Sequence, residues 1–130
     1  REGAIFEDAV AVGTFPLDAH DPSDDKRTYI LPKSELRVPP YHIPLRCLIP
    51  RGMNNVLVAG RNLSSDQLTL SSARVMTTCA MMGQAAGVTA ANCVENQKNP
   101  QNLIENARAL KSLQKALHNQ DVILDLAYYS

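Results

Sequence analysis

The sequence has no tryptophan, no excess charge of either sign and no paired cysteines. Lys+Arg and Asp+Glu number 13 each among 130 residues, so the formal net charge is zero. That balance removes the electrostatic basis for binding nucleic acid or an acidic membrane surface. Three cysteines make an odd number, and no C-x-x-C or His-rich spacing suggests a metal site. Cys79 and Cys93 fall on one expected helix, about 21 Å apart along its axis. Bridged Cα atoms lie within about 7 Å, so these two cannot pair there. They read as buried, reduced thiols. No charged-then-apolar leader opens the chain, and its first residue is Arg. The sequence therefore reads as a piece of a longer protein whose own N-terminus is missing. No G-x-G-x-x-G and no G-x-x-x-x-G-K-[ST] occurs, so a nucleotide's phosphates lack their usual cradle. G-x-S-x-G and H-E-x-x-H are absent too, which leaves a hydrolase or lyase without support. Nothing specifies a cellular compartment.

What is present is a globular composition, 45% hydrophobic and 20% charged. It suits one domain with a modest core. Residues 1–15 alternate around Ile5, Val10, Val12 and Phe15, a pattern of strand-like or mixed structure. "HDPSDDKR" (His20–Arg27) is an exposed turn-rich loop. "YILP" (Tyr29–Pro32) is a short strand candidate. "VPPYHIPLRCLIPRG" (Val38–Gly52) carries four prolines, which forbid a helix or a central strand and predict an extended path. "MNN" (Met53–Asn55) is a turn. "VLVAG" (Val56–Gly60) is a continuous apolar run, as in a strand buried on both faces. A polar loop leads to a helix over Arg74–Gln97, with Ser71 or Ser72 as its cap. Asn99-Pro100 restarts the chain with an N-cap and a proline at the first helical position. Leu103, Ala107, Leu110, Leu113 and Leu117 then form the apolar stripe of a second helix ending near Asn119. Val122–Leu126 is a last strand or an extended tail. The fold class is α+β: a few strands and extended proline-rich segments, followed by two helices.

The first helix is the anomaly. From Val75 to Val94 no residue is charged. Twenty residues would just span a bilayer core of about 30 Å. Yet Thr77, Thr78, Gln84, Thr89 and Asn92 are polar, and no aromatic anchors flank the run, so it does not read as a span. It reads as a helix buried in protein on most sides. Ala80, Gly83, Gly87, Ala91 and Val94 recur every three or four residues and share one face. With no bulk there, another backbone can approach closely. Each glycine costs about 1 kcal/mol relative to Ala in a helix, which close packing would offset. A chain with one other strong helix has little to surround it. A larger parent protein, or self-association through the apolar surface, is expected to complete the burial.

A buried strand ending in Gly and leading to a helix N-terminus is a recurring ligand site. The helix start offers unpaired N–H groups and partial positive charge, suited to a phosphate or a reduced cofactor ring. At these residues the sequence resembles a known family. "YHIPLRCLIPRGMNNVLVAGRNLSSDQLTLSSARVMTTCAMMGQAAGVTAA" is similar to the C-terminal part of FAD-dependent oxidoreductases, related to the fumarate reductase and succinate dehydrogenase flavoproteins. The family pattern Y-x-I-P-Y-R-S-L-I-P appears as Tyr41–Pro50, N-L-L-V-A-G-R as Asn55–Arg61 and R-V-M-x-T-C-x-x-x-G-x-A-A-G as Arg74–Gly87. "VGTFPLDAHD" (Val12–Asp21) resembles the family's G-x-Y-P-x-D-x-H, and "LKSLQKALHNQDVIL" (Leu110–Leu124) its closing helix. Leu45 and Cys47 replace the family's Tyr and Ser. Asp121 stands where Gly is common, so the final turn is expected to differ.

The resemblance implies a division of the chain. Residues 1–52 would end a substrate-covering region, and residues 53–130 would supply the C-terminal strand and helices of a Rossmann-like FAD-binding domain. The N-terminal unit that holds the ADP half of FAD is absent, and is the partner the resemblance implies. Ala59, Gly60 and Arg61 would lie near the ribityl and pyrophosphate. Arg74, Val75, Met76, Thr77 and Thr78 would present the helix start to the flavin's pyrimidine edge. His20 and Arg46 match the family's His and Arg and are the candidate catalytic residues toward a small-molecule substrate. Arg46 would hold a carboxylate or polarise a carbonyl, and His20 would transfer a proton. The alternative is a stand-alone, non-catalytic binding or interaction module derived from a flavoprotein C-terminus, which would cover its uncharged helix with its own residues.

Overall fold

The computed structural model describes residues 4–26 and 29–129. Residues 1–3 of the first strand-like segment and Arg27 of the charged loop lie outside them. The sheet among the described residues has two antiparallel strands, β1 (Ala9–Gly13) and β2 (Tyr41–Pro44). Ala11 faces Ile43 and Gly13 faces Tyr41, with an irregularity between Ala9 and Ala11. All five residues of β1 are buried, as its apolar run AVAVG requires. The free edge of β1 is sealed by a side chain: the Gln114 amide donates to the carbonyls of Glu7 and Ala9. Gly13 permits the pairing, because the Tyr41 ring lies where a Cβ would stand, 2.3 Å from it. The Tyr41 hydroxyl lies 2.7 Å from that of Ser72, which in turn donates to the Phe15 carbonyl.

The proline-rich segment corrects the sequence reading in part. Its middle pairs as β2, and Pro44 closes that strand at the sheet edge, where a missing N–H is tolerated. A 3-10 turn, Leu45–Leu48, follows and buries Leu45 and Leu48 completely. "YILP" is not a strand; Tyr29 makes one isolated bridge to His20. "VLVAG" is not a buried strand either. Val58 N–H donates to Leu48 C=O and Gly60 C=O accepts from Leu63 N–H, but the segment forms no ladder, and Val56 is exposed. The described residues include no strand for it to pair with.

Four helices follow rather than two. α1 (Gln67–Ala73) is capped by Asp66, whose carboxylate accepts from the Thr69 N–H. Ser71 and Ser72, expected as caps, lie inside α1 and are buried. Val75 then takes extended backbone and separates α1 from α2, which runs from Met76 to Glu95, within the helix expected over Arg74–Gln97. α3 (Pro100–Glu105) starts at Asn99-Pro100 as expected, with a capping box between Asn99 and Asn102. Asn106 ends it and caps α4 (Ala107–His118) by accepting from the N–H groups of Arg108 and Ala109. Leu103, Leu110, Leu113 and Leu117 are buried, while Ala107, at the break, is exposed. The tail Val122–Leu126 forms no strand; it is extended and passes into a short 3-10 turn.

The core lies between the sheet, α2 and α4, built on Val10, Leu45, Leu48, Met82, Leu103 and Leu113. α2 reaches it through Thr78, Met82, Ala85, Thr89 and Cys93. The Thr89 hydroxyl is satisfied by donating to the Ala85 carbonyl. The small-residue face points the other way. Ala80, Gly83, Gly87, Ala91 and Val94 are all exposed, and a Cβ at Gly83 or Gly87 would meet nothing within 4 Å. Met76 is 88% exposed and Val94 79%. No described helix is long and apolar enough to cross a membrane.

Candidate functional site

The connection from the Val56–Gly60 segment to α2 is partly open to solvent. Leu57–Ala59 run extended beside α2, and they and Gly60 are half-buried. Gly60 turns the chain with φ +73°, a conformation that favours glycine, and begins a 3-10 turn through Asn62. A Cβ there would sit 3.7 Å from Cys79, so the turn lies against the first helical turns of α2. Ala59 is half-buried and Arg61 exposed. At the α2 start, no side chain caps Val75 and no acidic residue occupies the first turn. Its first amides therefore lack intrahelical partners and their partial positive charge is uncompensated. Met76 and Thr77 are exposed, Val75 is half-buried, and the Thr78 side chain turns into the core. Among the described residues no cluster of His, Cys, Asp and Glu could hold a metal ion.

Arg74 ties this end to the loop after β1. Its Nη2 donates to the Asp18 carbonyl at 2.8 Å and reaches the Asp18 carboxylate at 3.2 Å. The other Asp18 carboxylate oxygen lies 2.9 Å from Nε2 of His20. The His20 ring stacks on Tyr29 at 4.5 Å. One carboxylate thus joins the candidate proton-transfer residue to the start of α2. Asp18 was not singled out from the sequence, although it stands at the Asp of the G-x-Y-P-x-D-x-H resemblance. That position was the available signal.

Arg46 lies in a different setting. Its Nη1 donates to the Asp8 carboxylate at 2.8 Å, and its backbone N–H donates to the other oxygen at 3.2 Å. Asp8 is buried, with a side chain 3% exposed, whereas that of Arg46 is 52% exposed. The guanidinium also covers the Phe6 ring at 4.8 Å. Beyond it opens a cleft of about 440 Å³. Its apolar walls include Phe6, Leu17, Val38, Leu63 and Leu68; Arg46 and Cys47 stand among them, and His20 does not. Burial pushes the Cys47 thiol up, with Arg46 opposing only in part. Cys47 is therefore a protonated thiol at neutral pH and not an activated nucleophile. Neither Asp8 nor Phe6 was legible as a site residue, since both precede a strand that reads as pure core.

Residues 1–117 match the FAD dependent oxidoreductase family. The chain belongs to that family. It matches no curated protein and no solved structure. FAD is the family's cofactor, and the open, uncapped start of α2 with Gly60 alongside fits a group that carries negative charge.

Proposed function

We propose that this chain is the C-terminal part of an FAD-dependent oxidoreductase akin to the fumarate reductase and succinate dehydrogenase flavoproteins, closing over a flavin bound mainly by another part of a Rossmann-like domain. In this reading residues 1–52 end the substrate-covering region and residues 53–130 complete the FAD-binding domain. The carrying observation is the bare side of α2: a helix with an uncapped start and an exposed small-residue face beside an extended segment, Leu57–Ala59, that joins no sheet among the described residues. FAD, when bound, supplies the two-electron chemistry of hydride transfer to or from a small substrate. The chain's own residues bind and orient. The first-turn amides at Met76, Thr77 and Thr78 stabilise negative charge, and Gly60 lets a ligand approach the backbone. Ala59 and Arg61 flank that approach. Arg74 acts through Asp18, which fixes the His20 ring that moves the proton. Arg46, held by Asp8, meets the substrate from the cleft. Alone the chain has no phosphate cradle and turns over nothing. A stand-alone module would have covered α2 with its own residues, and the exposure of Met76 and Val94 argues against it. The test is to purify the longer gene product and record the flavin band near about 450 nm. The expected protein is yellow, with this chain alone colourless. A folded, colourless long product overturns the reading.

A further inference from the structure

The cleft beside Arg46 carries chemistry of its own. Asp8 engages Nη1 of the guanidinium and leaves Nε and Nη2 without a hydrogen-bond partner among the described residues. Asp8 is not among the cleft's walls, but Arg46 is. The Phe6 ring and the Asp8 carboxylate hold the guanidinium from two sides, and Arg46 stands in the cleft wall with its side chain half exposed. Some of the other polar groups there are engaged, while the Ser64 and Ser65 hydroxyls at the wall are neutral donors or acceptors. The Tyr41 hydroxyl is bonded to Ser72, and both nitrogens of His42 are taken, Nδ1 by the Phe6 N–H and Nε2 by the Leu124 carbonyl. The second charge on the walls is Asp66, whose carboxylate accepts from the Thr69 N–H as the α1 cap and is held below the usual carboxyl range by that bond. A ligand here meets one cation with two donors to spare, one anion, the neutral hydroxyls of Ser64 and Ser65, and otherwise mostly hydrocarbon. A volume of about 440 Å³ suits a small organic molecule.

We propose that this cleft binds a small monocarboxylate with an apolar body, its carboxylate on Nε and Nη2 of Arg46 and its body against Phe6, Leu63 and Leu68. A dicarboxylate is disfavoured, because its second charge would face Asp66 with no second cation. The proposal rests on the flavoenzyme reading only in calling this ligand the substrate; binding itself requires no flavin. The probe is phenylacetate, titrated into the full chain and followed by amide NMR. Saturable shifts are expected at Cys47, Leu63 and Ser64. Affinity should exceed that for phenylacetamide by about tenfold, as a charge-assisted pair requires, and also that for phenylsuccinate. The paired change Asp8→Asn with Arg46→Gln avoids stranding a buried carboxylate and should reduce phenylacetate binding to the level of the amide. Leu68→Trp narrows the cleft without touching the ion pair and should abolish binding; it decides the matter if the double variant does not fold. Equal binding of acid and amide, shifts elsewhere, or undiminished binding to Leu68→Trp overturns the site. A colourless long product with these shifts intact would sink the flavin reading alone. A yellow one without them would sink the carboxylate site alone.

Discussion

At the scale of single residues, two backbone positions show how this chain ends its helices. Gln97 and Asp121 have φ of 52° and 63°, in the left-handed region. Both follow helices closed by the same pair of bonds. After α2, Lys98 N–H donates to Cys93 C=O and Gln97 N–H to Val94 C=O. After α4, Val122 N–H donates to Leu117 C=O and Asp121 N–H to His118 C=O. This is the Schellman arrangement, in which glycine is the usual left-handed residue. The resemblance placed a glycine at Asp121, and the turn there keeps a glycine-like conformation with a different side chain. Gln97→Gly should stabilise the chain by about 0.5–1 kcal/mol, the relieved left-handed strain outweighing the entropy of glycine. Asp121→Gly should gain less, since a short polar side chain tolerates this region better. Urea denaturation of each variant checks both the sign and the order.

At the scale of elements, the boundaries that were legible have local causes and those that were not have distant ones. The Asn99-Pro100 restart was readable, and β1 falls within the strand-like or mixed segment 1–15, because a cap-plus-proline pair and an apolar alternation act within a few residues. The break at Arg74–Val75 was not, because what fixes it lies elsewhere in sequence: Asp18 holds Arg74, while Phe15 and Tyr41 hold Ser72. The site divides likewise. Gly60 and the α2 start are positions that the strand–loop–helix pattern singles out as candidates, while Asp8 and Asp18 needed three-dimensional pairing to be seen. α1 is short enough for its cap to be felt. Asp66→Ala should cost about 1 kcal/mol near neutral pH, by loss of the bond to the Thr69 amide. That bond holds the Asp66 carboxyl below its usual range. A depressed carboxyl contributes fully above its unfolded value and loses its contribution as pH falls through the folded one. The gap between wild type and Asp66→Ala, read from urea midpoints, should therefore narrow on acidification. A gap that widens would rule out the cap as its source.

At the scale of the whole molecule, the two faces of α2 obey different demands. The inner face, Met82, Ala85 and Thr89, is fully buried and belongs to this chain's own core. The outer face, Ala80, Gly83, Gly87 and Ala91, spends helix propensity on two glycines and gains no contact from them here. Within this chain alone, Gly83→Leu and Gly87→Leu meet open space, and each should stabilise α2 by up to about 1 kcal/mol. In a protein where another backbone packs against that face, the same substitutions insert bulk into a close contact and should disrupt it. Measured on the isolated chain, thermal unfolding should move upward. Measured on the long gene product, flavin retention should fall. Opposite signs in the two backgrounds require a partner surface on α2 that this chain does not itself provide. Gain in both would mean that the small-residue face stays open to solvent in the intact protein, and the closing role proposed for α2 would then be lost.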